Sequence, residues 1–430
     1  MQLSAASSAP SLRARLRAAA CVLLAAGAPV VAHAESATPA WQFEVTGLAY
    51  AEKARTTIFE PIARITRLWA DGQSLSAQVT LDAMTGASPS GAQPSSQVVT
   101  TTSPSGTTST STVNEVPTKP FSDFRGAYAL DWVRPIGFFT LAAGGHYSRE
   151  RDYQSVGWHG QGSLDLDHHL ATVSFGGGVN DDEIFPLGGT PVGLDTSATH
   201  RILTMGHDKK TVTEGMLGLS RVLTRRWLIG LNGSRVHEQG YLTEPYKVLS
   251  VISPATGLPL LRTTTTKREV TEKRPDRRNR ADVLASTVYH LQEDVLYASY
   301  RYYWDDWGVK SHMVDLKYRT DLPEHDWLQP HLRYYKQTAA DFFAFDLRQG
   351  APLPQYASSD FRLGPLQSLT MGLTYGCPLP NSPGEFTVRG EYMRQWGDGH
   401  PANATGAQKS VDLFPPLDTF TLVAGYSVQF

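Results

Sequence analysis

Few residues of this chain have the types and spacing that chemistry requires. Ser311 and His312 could supply a nucleophile and its base, but adjacent residues of a strand point to opposite faces. The histidines at 168–169 could bind a metal with neighbouring aspartates, although a solvated turn explains them better. The acids at 181–183 and 305–306 lack the spaced loop motif of a calcium site. We therefore predict no catalytic, cofactor-binding or metal site.

A larger set of charged residues alternates with apolar ones in the segments 294–304, 308–320, 327–337 and 384–396. A period of two indicates a strand with one face in an apolar medium and the other in a polar one. The charged residues on the predicted polar, lumen-lining face are Arg301, Asp315, Lys317, His331, Arg333, Arg389 and Glu391. Such a face either borders a water-filled path or pairs its charges and plugs a narrow barrel, and both alternatives stay open.

The elements that must position these residues are strands. From Trp41 onward there is almost no helical periodicity, and runs of roughly ten residues have the length with which a tilted strand crosses a bilayer. The sixteen candidates are 41–52, 62–70, 75–84, 123–134, 137–148, 153–166, 168–180, 212–224, 226–237, 280–291, 294–304, 308–320, 327–337, 364–377, 384–396 and 417–430. Short and long links alternate between them, which is typical of short periplasmic turns and long extracellular loops. The sequence thus predicts an all-β fold, a transmembrane antiparallel up-and-down β-barrel of about 16 strands.

Two of the predicted extracellular loops have unusual compositions. The segment 85–122 is a low-complexity stretch rich in Ser, Thr, Gly and Pro, with too few large apolar residues to order itself, so we interpret it as flexible and solvated. The stretch 262–280 carries eight Lys or Arg against three acids. It could meet lipopolysaccharide phosphates or anionic solutes, although a solvated loop explains it more simply.

Both ends of the chain fit export to an outer membrane. Residues 1–34 combine three arginines, an apolar run too short to span a membrane, and Ala32-His33-Ala34, the pattern of a signal peptide cleaved after Ala34. The barrel domain is then 35–430. The last strand alternates strictly and ends at Phe430. Such a strand resembles the signal read by the outer-membrane assembly machinery, which is an expected partner.

The composition excludes several classes of protein. The chain has 39 Lys and Arg against 41 Asp and Glu, which argues against a general nucleic-acid binder. Signal cleavage removes Cys21 and leaves only Cys377, so no intrachain disulfide is expected. The mean hydropathy of −0.28 fits a soluble protein and also a barrel, in which only every second strand residue faces lipid.

Several segments carry a family resemblance: "LDAMTGASP" (81–89), "GYLTEPYKV" (240–248), "EKRPDRRNR" (272–280), "YRYYWDDWGVKSH" (300–312) and "LRYYKQTAADFF" (332–343). They look like the Gram-negative outer-membrane proteins catalogued as domain of unknown function 3570. The resemblance spans most of the mature chain and implies an outer-membrane β-barrel. It transfers no catalytic residue.

Some of these motifs lie in predicted extracellular loops, where a plain barrel does not require them. One hypothesis is that the loops fold inward and form ion pairs with one another. The predicted pairing sets Arg274, Arg277 and Arg278 against Asp305 and Asp306.

Together these patterns predict a non-enzymatic protein of the outer membrane of a Gram-negative bacterium. We expect a pore or passive transport path for small polar solutes, surrounded by outer-membrane lipid and lipopolysaccharide and needing no cofactor. The alternative is a structural or surface-interaction barrel that displays its loops to partners. An outer-membrane enzyme that acts on lipid or peptide is the least favoured function.

Overall fold

The structure is a computed structural model. It describes residues 39–53, 55–94, 99–102, 108–111, 116–186, 189–195, 208–260, 269–379 and 383–430. The predicted signal peptide and its cleavage site lie outside the described residues. Among the described residues, no helix is long and apolar enough to cross a membrane.

The described residues form strands and three short 3-10 helices. The strands are β1 (Ala40–Glu52), β2 (Thr56–Leu68), β3 (Ser74–Pro89), β4 (Val99–Thr102), β5 (Thr108–Ser111), β6 (Thr118–Ile136), β7 (Phe139–Arg149), β8 (Tyr153–Leu166), β9 (Ala171–Ile184), β10 (Asp208–Thr224), β11 (Trp227–Gly240), β12 (Val248–Ile252), β13 (Glu269–Thr271), β14 (Arg277–His290), β15 (Val295–Asp305), β16 (Lys310–Asp321), β17 (Trp327–Gln337), β18 (Asp346–Arg348), β19 (Leu366–Pro378), β20 (Glu385–Gly397) and β21 (Leu417–Gln429). The 3-10 helices are Pro323–His325, Phe361–Leu363 and Gly406–Ser410.

Sixteen of these strands close into one antiparallel barrel, in the order β1-β2-β3-β6-β7-β8-β9-β10-β11-β14-β15-β16-β17-β19-β20-β21. The predicted strand number and up-and-down order are confirmed. The first and last strands pair from Gln42 opposite Gln429 to Glu52 opposite Thr419. Closure at this seam leaves no edge of the barrel unpaired in lipid.

The connections between barrel strands differ in length at the two ends. The short ones are 69–73, 137–138, 167–170, 225–226, 291–294, 322–326 and 379–384. At the other end lie 53–55, 90–117, 150–152, 185–207, 241–276, 306–309, 338–365 and 398–416. The first group forms the periplasmic turns and the second the extracellular loops, as predicted.

Several strands extend farther on the extracellular side than predicted. β2 begins at Thr56 rather than at 62, although Pro61 lies inside it, and β6 begins at Thr118 rather than at 123. Because β3 continues to Pro89, the low-complexity connection is 90–117 rather than 85–122. Above the bilayer both faces of a strand are wet, so hydrophobic alternation no longer marks it.

Large apolar side chains cover the outside of the barrel. On β21, Phe420 and Leu422 are 56% and 43% exposed, whereas Thr419 on the opposite face is 4% exposed. The same alternation on β16 exposes Val314 and Leu316. A contiguous apolar surface of this extent fits hydrocarbon rather than water.

The extracellular connections pack into a body of their own. β12 pairs with β13 in antiparallel and with β18 in parallel orientation. The apolar core beneath this sheet consists of Leu194, Leu249, Val251, Val270, Leu347 and Ala357. A second apolar cluster, beside the β15–β16 turn, consists of Trp307, Val309, Ala340 and Leu363. We call residues 90–94, 241–260, 269–276, 338–365 and 398–416 the loop cap.

Replacing Leu422 by arginine should destabilise the barrel. Leu422 lies near the middle of β21 on the lipid-facing side, where a charge costs about 2–4 kcal/mol. The free energy of unfolding, measured by urea denaturation in lipid, should fall by about this amount. Thr421→Arg is the control, because Thr421 lies opposite Glu391 on the lumen face and an arginine there gains a carboxylate partner. Equal losses in both variants would contradict the assignment of the two faces.

Candidate functional site: a capped barrel mouth

A cavity of about 840 Å³ lies at the extracellular mouth. The barrel residues of its lining come from the extracellular ends of β1, β2, β3, β6, β8, β9, β10, β11, β14, β20 and β21. The cap residues of its lining are mainly 241–247 and 360–363. Because strands from most of the circumference and the loop cap border one space, the cap extends across the mouth.

The cap is organised around a fully buried acid, Glu272. Its Oε1 accepts a hydrogen bond from the backbone N–H of Glu244 at 2.8 Å and lies 2.5 Å from Nε of Arg274. The Ser358 hydroxyl donates to its Oε2. Burial raises the pKa of Glu272, and the Arg274 charge and the Ser358 hydrogen bond oppose that rise. One carboxylate thus joins three segments of the cap.

The network continues from Arg274 to a second buried acid, Asp360. Nη2 of Arg274 donates to Oδ2 of Asp360 at 2.9 Å, and Nε of Arg362 donates to the same oxygen at 2.9 Å. Burial alone would raise the pKa of Asp360, but the positive charges of Arg362, Lys247 and Arg274 outweigh it and lower the pKa. The buried acids and arginines hold the loops in place because each charged group depends on a partner from another position for its hydrogen bonds.

A second polar network ties the segment 90–94 into the cap. The backbone N–H of Gln93 donates to Oγ of Ser250 at 2.9 Å, and its side-chain amide donates to Asp346 at 2.8 Å. The amide of Gln408 donates to Asp346 at 2.7 Å and to Gln93 at 3.0 Å. The sequence predicts a solvated loop at 90–94, whereas the structure packs these residues against three other loops.

The β15–β16 turn holds the cap to the rim of the barrel. Nη2 of Arg278 lies 2.6 Å from Oδ2 of Asp305, and its guanidinium stacks on the Trp307 ring at 4.3 Å. Gly308 has a φ of +88°, and a Cβ there would lie 2.2 Å from the Asp341 carboxylate. The turn therefore requires glycine at this position.

Of the residues predicted to pair between loops, the structure brings Arg278 and Asp305 together. Arg274 does not reach either aspartate of the 305–306 pair; it contacts Glu272 and Asp360 instead. The reason is its position, since Arg274 precedes β14 and lies inside the cap rather than on the barrel wall.

The other two predicted loop residues have different partners. Asp306 accepts a hydrogen bond from the side-chain amide of Asn279 at 2.7 Å. The Arg277 side chain is exposed, and only its backbone carbonyl takes part, accepting from Nε1 of Trp307 at 2.8 Å. Strand alternation explains both results, because on β14 Arg278 faces the lumen while Arg277 and Asn279 face outward.

Three arginines of the basic stretch 262–280 are directed inward, whereas the side chains of Lys273 and Arg277 are exposed. Residues 262–268 lie outside the described part of the chain. Arg274 and Arg278 belong to the networks above, and Arg280 lies 2.9 Å from Glu238 on β11. These three arginines form ion pairs inside the mouth, and the lipopolysaccharide contact that the sequence suggested for this stretch stays a prediction.

Carboxylates line one side of the mouth cavity. Burial, reinforced by the charges of Asp123 and Asp152, raises the pKa of Glu150 to about 7. Burial also raises the pKa of Asp152, whose carboxylate accepts a hydrogen bond from the Tyr246 hydroxyl of the cap. The charge of the entrance therefore changes near neutral pH.

Below the cap, His331 is the centre of a charged row on the lumen wall. Its Nε2 lies 2.8 Å from Asp315 and its Nδ1 lies 2.8 Å from Glu391. Both ring nitrogens face carboxylates, so both donate when the ring is protonated. Nε of Arg333 donates to Asp315 at 2.7 Å. Gly372 lies between His331 and Glu391, and a Cβ there would lie 2.7 Å from Glu391, so glycine leaves the space for this contact.

The remaining predicted lumen residues also lie on the inner face. Nε of Arg301 lies 3.5 Å from Asp282 on the neighbouring strand, and Nε of Arg389 lies 3.8 Å from Glu391. Lys317 lies opposite His331 in the β16–β17 register. The inner wall of β14–β20 thus carries charges of both signs.

The opposite wall holds a pair that the sequence analysis missed. Nε2 of His159 on β8 lies 3.1 Å from Asp131 on β6, across the intervening strand β7. Gly144 separates them, and a Cβ there would lie 2.3 Å from Asp131 and 2.6 Å from His159. Glycines inside the strands 139–149 and 153–166 were the available signal.

The structure keeps Ser311 and His312 apart. Ser311 is buried on the lumen face, and His312 is exposed on the outside, where its Nδ1 lies 2.7 Å from the Tyr300 hydroxyl. In the described ranges, no group of three or more His, Cys, Asp or Glu is arranged to hold a metal.

The chain belongs to the family described as Protein of unknown function (DUF3570), whose family model matches residues 13–428. None of the curated proteins matches it.

Three solved barrels are similar in fold. CdiB from Acinetobacter baumannii has a TM-score of 0.43 and 10% identity, over 91% of this chain and 60% of CdiB. OmpTdeltaL8, a loop L8 deletion mutant of OmpT from Vibrio cholerae, has a TM-score of 0.41 and 6% identity, over 91% of this chain and 99% of OmpTdeltaL8. OccK3 (OpdO) from Pseudomonas aeruginosa has a TM-score of 0.39 and 12% identity, over 91% of this chain and 96% of OccK3. Similarities at this level do not argue for a function.

Glu272→Ala should release the loop cap and leave the barrel intact. The change removes the Glu272 carboxylate that pairs with the buried Arg274, which costs about 3–5 kcal/mol of local stability. Hydrogen exchange should show faster exchange at 241–260 and 338–360, while far-UV circular dichroism stays unchanged. Asp276→Ala, which removes an exposed acid from the same loop, should have no such effect. Unaltered exchange in Glu272→Ala would show that the acid does not hold the cap.

Proposed function

We propose that this protein is a passive path for small polar solutes across the outer membrane, entered through the capped mouth. The observation that supports it best is the direction of the lumen ion pairs. Asp315–His331, Arg301–Asp282 and Lys210–Asp182 join neighbouring strands. His331–Glu391 and His159–Asp131 skip one strand. Each of these pairs joins strands that are one or two positions apart in the barrel, so the pairs run along the wall and do not bridge the lumen.

Control of entry then belongs to the loop cap rather than to the barrel. Sixteen strands enclose an interior wide enough for water unless loops fold into it. Here the cap covers the mouth and leaves a cavity of about 840 Å³, bordered by acids such as Glu150 and bases such as Arg55 and Lys119. A small solute with polar or charged groups finds partners of either sign there. No step of this function requires catalysis or a cofactor.

The display of loops to partners is the second candidate function. One observation favours it: the cap has its own three-stranded sheet and apolar core, so it presents a defined extracellular surface. Under this alternative the cap would seal the barrel.

Planar-bilayer recording of the refolded protein distinguishes the two functions. A passive path predicts discrete conductance steps in the wild type and larger steps in Glu272→Ala, because release of the cap widens the entrance. Asp276→Ala should conduct like the wild type. Absence of conductance in both the wild type and Glu272→Ala would contradict the passive path and favour loop display.

The ion selectivity of the path should depend on pH through Glu150. Its raised pKa of about 7 means that the carboxyl is neutral below this pH and charged above it. Reversal potentials should shift toward cation selectivity between about pH 6 and about pH 8, one unit on each side of the pKa. Glu150→Gln should reduce this shift, whereas Glu293→Gln, in a periplasmic turn, should preserve it. The same pH dependence in Glu150→Gln would exclude Glu150 as its source.

A further inference from the structure

Three basic side chains lie together on the lipid-facing side of the barrel, at the extracellular ends of β16 and β17. Lys310 and His312 are successive outward residues of β16, about 7 Å apart along the strand. Lys336 lies directly opposite His312 on β17. All three are exposed. We call Lys310, His312 and Lys336 the basic patch.

The acids nearest to the basic patch have other partners or positions. Asp306, in the turn before β16, accepts a hydrogen bond from Asn279. Asp341 packs over Gly308. Within the part of the chain that the structure describes, no acid forms an ion pair with the patch. Lys310 and Lys336 therefore carry two positive charges on one exposed surface without a carboxylate partner, which favours an external anion.

The side chains beside the patch and toward the bilayer centre show at which depth it lies. The outward residues of β15 are Trp304, Tyr302 and Tyr300, and the next outward residues of β16 are Val314 and Leu316. The Tyr302 ring lies 5.0 Å from the His312 ring. Aromatic rings of this kind mark the interface between hydrocarbon and headgroups. The basic patch therefore lies at the headgroup level of the extracellular leaflet.

We propose that the basic patch binds the phosphate groups of a phosphorylated glycolipid, the lipopolysaccharide of the outer leaflet. Lys310 and Lys336 supply charged N–H donors on flexible stems that reach phosphate oxygens. When the Tyr300 hydroxyl donates to Nδ1 of His312, the ring N–H lies on Nε2 and donates as well. The acyl chains of the glycolipid lie against the apolar surface of Val314 and Leu316. Lipid binding at the basic patch does not require a conducting lumen.

Binding of lipid A to the full refolded chain in detergent, measured by native mass spectrometry, tests the site. The wild type should bind bisphosphorylated lipid A roughly tenfold or more tightly than dephosphorylated lipid A, because charge-assisted hydrogen bonds are lost with the phosphates. The triple variant Lys310→Gln/His312→Gln/Lys336→Gln should bind both equally weakly. Lys53→Gln/Lys409→Gln removes two exposed lysines elsewhere and should behave like the wild type.

A second measurement needs no variant. Bisphosphorylated lipid A should protect Lys310 and Lys336 of the wild type from amine acetylation, and Lys53 should stay reactive. Phosphate-independent binding, unchanged binding by the triple variant, or absence of protection would each overturn the proposal. Equal competition by phosphatidylglycerol would refute the glycolipid assignment. A dimer of the wild type that the triple variant lacks would assign the patch to a second copy of this chain instead.

Discussion

Hydrocarbon offers no hydrogen-bond partner to a peptide group, and the architecture of this protein follows from that constraint. A sheet that crosses a bilayer must pair every strand, so β1 and β21 meet from Gln42 opposite Gln429 onward and close the barrel. The same medium directs large apolar side chains outward and confines charges to the lumen. Inside, a glycine on the intervening strand lets charges two strands apart meet, as Gly372 does between His331 and Glu391.

The loop cap is held together by a different physical principle. Its apolar cores are small, and buried acids connect its segments. Arg274 pairs with both Glu272 and Asp360, and Glu272 also accepts hydrogen bonds from Ser358 and the Glu244 backbone. A buried carboxylate without these donors is costly, so each loop is stable only when the others are in place. This mutual dependence explains why polar motifs occur in loops that a plain barrel would leave unconstrained.

As a result of these two constraints, the lumen wall, the loop cap and the outer surface differ in their chemistry. The lumen wall pairs its charges laterally, so it stays polar without crossing the axis. The cap covers the extracellular mouth, where Glu150 changes charge near neutral pH. The outer surface meets lipid through an aromatic belt, with the basic patch at the extracellular edge of β16 and β17.

The sequence by itself determined the strand count, the inward and outward faces and the side of the long loops, because a period of two is a local property that Phe420 and Leu422 show without reference to any neighbour. It also placed Arg278 and Asp305 together in a loop hypothesis, while Arg274 and Asp306 found other partners. Only the tertiary structure decided the partners in the cap. Arg274 and Asp360 are 86 residues apart, and no periodicity links them. The barrel first brings the loop ends together. A carboxylate that is then removed from water is stable only if it accepts hydrogen bonds from donors nearby in the closed fold, so burial decides its partners.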